Sequence, residues 1–155
     1  MRGMSHTVVN LMQIKDLAPD HGLAPGLESR CARVPLELTN SGLSHFRIGP
    51  DFRVPFGHVH SEQEEVYVVV EGSARVKLDD QVLELGTWDA VRIPPGTWRG
   101  MEGGPEGAQL LAFGAPWGPP SMPRHVPGGM RTASHVPRSS TSSSSLTRAL
   151  PSTTT

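Results

Sequence analysis

A chain of 155 residues is long enough for one domain with its own core and too short for two comfortable ones. Its formal net charge of −1 leaves no basic footprint for nucleic acid or an anionic membrane surface. The single cysteine, Cys31, excludes an intramolecular disulfide and a cysteine-based zinc cluster.

The first thirty or so residues are weakly patterned. Leu11 to Leu17 suggests at most a short helix ended by Pro19, and turn signals follow at Pro19-Asp20, His21-Gly22 and Pro25-Gly26. The opening MRGMSHTVVNLMQIKD lacks the apolar stretch of a secretory signal, and the longest apolar run, Val66 to Val70, is far too short to cross a bilayer. A soluble, cytoplasmic protein is expected.

Strand-like segments then arrive at short intervals. Val34 to Leu38 and Ser44 to Ile48 are separated by the turn Asn40-Ser41-Gly42. Glu65 to Val70 is the strongest β signal, rich in β-branched residues and stopped by Glu71-Gly72. Ala74, Val76 and Leu78 alternate with Arg75 and Lys77, as in a strand with one wet face. Asp79-Asp80 turns the chain into Val82, Leu83 and Leu85; Trp88 to Ile93 and Gln109 to Phe113 follow, separated by the turn Pro94-Pro95-Gly96. An all-β sandwich or barrel is predicted over residues 30–116, after an N-terminal segment at 1–29. Residues 117–155 are dominated by Pro, Gly, Ser and Thr with few apolar side chains, the composition of a disordered tail, native or a readthrough product.

One stretch carries chemistry: His58-Val59-His60-Ser61-Glu62-Gln63-Glu64-Glu65. Residues two apart on a strand share a face, so His58 and His60 can converge on one point. Two imidazoles and a carboxylate with open positions suit a divalent first-row metal, although an HxH pair alone is common on surfaces. Alternation leaves the carboxylate ambiguous. Val66, Val68 and Val70 share a face with Glu64, whereas Glu65 shares its face with Tyr67 and Val69.

The stretch GHVHSEQEEVYVVVEG resembles the first motif of the cupin superfamily, in which HxH is followed at fixed spacing by Glu and then Gly; His58, His60, Glu65 and Gly72 meet that spacing. Downstream, WDAVRIPPGTWRG resembles the second motif, with Pro94 and Gly96 matching its turn. The resemblance implies a small jelly-roll β-barrel, metal ligands His58, His60 and Glu65, and a homodimer whose second subunit covers the outer face of the sheet. It departs from the family at Arg99, which stands where the second motif has its ligand histidine; Trp88 and Gly103 replace the motif's usual Gly and Asn. Arginine stays protonated and cannot be a ligand.

Two readings follow. In the first, Fe, Mn or Zn is held by His58, His60 and Glu65, and a small anionic molecule is transformed in dioxygenase or isomerase fashion. Arg99, Tyr67 and Trp98 are then the expected substrate contacts. In the second, Arg99 pairs with Glu65 or Glu64, and the barrel is a metal-free, non-catalytic pocket for a small ligand. No other catalytic constellation is present, so no catalytic residue is assigned. His45, opposite in parity to Phe46 and Ile48, is expected to face solvent, and Trp88 to lie in the core or an interface.

Overall fold

The computed structural model describes residues 6–121. Among these residues six antiparallel strands make the fold: β1 (Leu27–Cys31), β2 (Gly42–Ile48), β3 (Glu64–Leu78), β4 (Gln81–Gly86), β5 (Ala90–Ile93) and β6 (Arg99–Ala115). Their order is β1-β2-β6-β3-β4, with β5 on β3. Helix among the described residues is limited to two 3-10 turns, Leu11–Gln13 and Pro19–His21. None is long and apolar enough to cross a membrane.

The two β segments expected on either side of Gly72 are one long strand, and so is the segment around Gln109. β3 and β6 pair along most of their length, with register shifts between Val69 and Glu71 and between Gly72 and Ala74. Such bulges bend a strand and increase its twist, which lets the two strands serve both walls of a barrel. Gly72 sits at the bend with φ 72°, and a Cβ there would lie 2.1 Å from the Gly107 carbonyl oxygen. The motif glycine is therefore required by both conformation and space.

Residues between β2 and β3 close the second wall. Val54 N–H donates to Met101 O at 3.0 Å, and His58 and Arg99 exchange backbone hydrogen bonds of 3.0 and 2.9 Å. The inner faces meet in a core that includes Leu27, Ile48, Tyr67, Val69, Val76, Ile93, Met101 and Leu110. This is the jelly-roll β-barrel that the sequence led us to expect.

Several expectations need correction. Val34 to Leu38 is a turn, with Leu36 N–H donating to Ala32 O and Leu38 N–H to Arg33 O. Pro35 has no N–H to give a ladder, and Glu37 adopts φ 57°. The N-terminal segment carries the start of β1 and brings Ala18 into the core. Trp88 is 75% exposed, which removes the core from the two places expected for it and leaves an interface. His45 does lie on the outer face, but it is buried there, its Nε2 3.0 Å from Gln109 Oε1. The expected tail falls mostly outside the described residues. Of its first residues, Trp117 N–H donates to Asn40 O, its ring stacks on Arg33, and Ser121 pairs with Val59.

Candidate functional site

His58 enters the barrel because its backbone is bridged to Arg99, the first residue of β6. His60 is fixed from the other side: its carbonyl accepts the Gly96 N–H at 2.8 Å, so the Pro94-Pro95-Gly96 turn holds the HxH segment in place. Gly96 takes φ 81° there, a conformation glycine reaches without strain. Glu65, the second residue of β3, lies opposite Ile93 and Gly114. One ligand atom from each of His58, His60 and Glu65 lies within 4.8 Å of the others.

The choice between the two glutamates is clear. Glu65 points inward with its side chain 12% exposed, and Glu64 points outward to Arg92. Tyr67 and Val69 are buried on Glu65's face, and the valines at 66, 68 and 70 form a half-buried outer face.

Arg99 is wholly buried. Its Nη1 donates to Glu65 Oε2 at 3.1 Å and its Nη2 to the Thr97 carbonyl at 3.0 Å. The Tyr67 hydroxyl also donates to Glu65, and His60 Nε2 lies 3.6 Å from Glu65 Oε1. The residue in the missing ligand's place therefore binds the motif carboxylate directly.

Burial and charge set the protonation states. Burial, then the Arg99 cation, then His60, push the His58 pKa down to about 4. His60 is lowered by burial and by Arg99. Glu65 is raised because burial outweighs the opposing effects of Arg99 and Tyr67. Burial, reinforced by the Glu65 charge, raises the Tyr67 phenol. The donors fit a divalent first-row ion: two imidazoles kept free of protons and a carboxylate with one oxygen facing His60. Arg99 acts against it, by charge and by occupying the other oxygen.

Beside this cluster lies a cavity of about 230 Å³, lined by Arg99, Tyr67, His58, His21 and Ser29 and otherwise by apolar residues. Trp98 does not reach it. Neighbours on an extended strand face opposite ways, and the Trp98 ring packs over Gly57 and Gly100 with the Lys77 ammonium 5.6 Å from its centre. The walls that sequence reasoning missed come from Leu17, Ala18 and Leu23, in a segment with no apolar period, and from Val54 and Phe56 before the motif.

A barrel of this topology with an HxH…E cluster at one end defines a cupin-type protein. Residues 44–113 match the family model described as the cupin domain, so that stretch of the barrel is a cupin domain. No curated protein sequence matches it. Among solved structures, a cupin protein from Bacteroides fragilis is 20% identical with a TM-score of 0.59, covering 88% of this chain and 99% of its own. The polyketide cyclase RemF from Streptomyces resistomycificus is 21% identical with a TM-score of 0.63, covering 79% and 88%. Oxalate decarboxylase from Bacillus subtilis, a protein with Mn(II) centres, is 22% identical with a TM-score of 0.58, covering 72% of this chain and 31% of its own. At these identities the likeness shows the fold.

Proposed function

We propose that this cupin holds a divalent metal through His58, His60 and Glu65 and binds a small anionic molecule in the adjoining cavity, transforming it in dioxygenase or isomerase fashion. The carrying observation is the cluster itself, three ligand atoms within 4.8 Å of one another with both imidazoles held unprotonated. A bound Fe, Mn or Zn ion would supply Lewis-acid polarisation of a ligand oxygen. Tyr67 holds Glu65 in orientation, and Arg99 offers its remaining N–H groups to an anion. The Mn(II) centres of the oxalate decarboxylase support a metal in such a barrel.

Metal content of the untagged protein, after anaerobic exposure to Fe(II), Mn(II) or Zn(II), tests this. The expected result is about one ion per chain, lost in both His58→Ala and His60→Ala. A wild-type chain without metal would leave the second reading, a metal-free and non-catalytic pocket. The observation favouring that alternative is the 3.1 Å Arg99–Glu65 hydrogen bond.

The outer face of Val66, Val68, Leu111 and the half-exposed Phe113 supports a homodimer. Phe113→Asp should then shift the solution mass from dimer to monomer; an unchanged dimer, or a wild-type monomer, would remove that face from the argument.

A further inference from the structure

The cavity has a chemical character of its own. Leu17, Leu23, Phe46, Val54, Phe56 and Met101 make most of its wall apolar; His21, Ser29, His58 and Tyr67 add neutral polar groups, and Arg99 is the only Lys, Arg, Asp or Glu among its lining residues. Arg99 Nε is buried and has no hydrogen-bond partner among the described residues. A buried donor left without a partner is destabilising, so an acceptor that reached this group would be held by it.

We propose that the cavity takes a monocarboxylate whose body is a single six-membered ring, aromatic or saturated, with its carboxylate on Arg99. This rests on the reading of the site as one for a small anion and names the class. Size sets the body: a cavity of roughly 150 Å³ accommodates benzene, and the 230 Å³ here adds room for a carboxyl group. Charge sets the head, because one guanidinium, already shared with Glu65 and the Thr97 carbonyl, faces the ligand. A compact dianion such as oxalate would bring a second charge with no second Lys or Arg to meet it and would leave the apolar walls uncovered.

Calorimetric titration of the full-length, untagged chain with benzoate, cyclohexanecarboxylate, benzamide, acetate and oxalate tests the assignment, with metal content measured in the same samples. Benzoate and cyclohexanecarboxylate should each bind at least about tenfold more tightly than the other three. Phe56, 39% exposed, and Leu17 line the cavity from the solvent side. Phe56→Asp, and independently Leu17→Asp, should weaken benzoate by at least about tenfold while leaving the unliganded melting temperature nearly unchanged. The proposal is overturned if oxalate, acetate or benzamide matches benzoate, or if none of the five binds. Benzoate binding by a wild-type chain that takes up no metal on anaerobic exposure to Fe(II), Mn(II) or Zn(II) would refute the metal reading and uphold this one. Metal binding without benzoate binding would do the reverse.

Discussion

The Arg99–Glu65 pair lends itself to a double-mutant cycle whose outcome depends on burial. Arg99 is fully buried and Glu65 is 12% exposed, with 3.1 Å between Nη1 and Oε2. The pair therefore belongs to the buried class, in which removing one partner costs about 3–5 kcal/mol, and not to the exposed class at about 0–1 kcal/mol. The two single substitutions should differ. Glu65→Leu strands a guanidinium that cannot shed its proton, so the full ~3–5 kcal/mol applies. Arg99→Met strands a carboxyl that can take one up, and its cost should be nearer the ~1.5–3 kcal/mol of a lost charged hydrogen bond. The Arg99→Met cost also depends on pH. Burial raises the Glu65 pKa above its ordinary value, and the cation opposing that rise is gone in the variant. A carboxyl that holds its proton more tightly when folded stabilises below its unfolded pKa, and that stability is lost as pH rises through the folded pKa. Arg99→Met should accordingly be less damaging at pH 5 than at pH 8. The double variant, with neither charge, should be more stable than Glu65→Leu alone. Urea denaturation in the presence of a chelator reads all four corners of the cycle. A double variant no more stable than Glu65→Leu, or a pH-independent Arg99→Met penalty exceeding that of Glu65→Leu, would refute the reasoning.

Arg99→His restores the fourth ligand and removes the competing cation. It should raise metal affinity by at least about tenfold in a chelator competition, and unchanged affinity would show that position 99 does not influence the cluster. Gly72→Ala places a Cβ 2.1 Å from the Gly107 carbonyl oxygen at φ 72°. The loss should exceed about 2 kcal/mol, measured by denaturation, and a neutral result would mean that the β3 bulge is misplaced. Glu28 is held below the ordinary glutamate range chiefly by its hydrogen bond from Arg30, aided by the charges of Arg47 and Arg30. That stability is present above the unfolded pKa and lost as pH falls through the folded one. Glu28→Gln should therefore flatten the fall in unfolding free energy between about pH 5 and 3, and an unaltered slope would remove Glu28 from that account.

The parts of the site that were legible in the sequence are local. His58, His60 and Glu65 lie within eight residues, and their convergence needs only strand alternation and a turn. The valine pattern pointed to Glu64 because alternation identifies a core face only when the other face is polar, and both faces of β3 here carry apolar side chains. His45 shows the same limit. Its parity was read correctly, yet the outer face at that point is covered, with Arg30 paired across β1 and Gln109 bonded to the ring. The cavity walls were illegible for another reason. Leu17, Ala18 and Leu23 sit among turns, and only the long-range bonds of the segment, such as Leu17 N–H to Ser29 O at 2.8 Å, bring them over the barrel.

Arg99 changes the charge of the site as well as its ligand count. A cluster of three histidines and a glutamate around a divalent ion carries one net positive charge. With Arg99 in place of a neutral histidine, the same ion leaves two. Without the ion, Glu65 and Arg99 cancel, and the cavity presents a mostly apolar wall around a guanidinium that is already partly satisfied. An anion in the metal-free site would have Arg99's remaining donor and the apolar walls to hold it, whereas one in a site that held the ion would also face two net charges and help to hold the ion. Where metal and carboxylate both bind, linkage requires each to change the other's affinity by the same factor. That factor sets the two readings apart in physical terms: a large one marks a metal-dependent site, and a factor of one marks a pocket in which Arg99 has taken over the metal's electrostatic role.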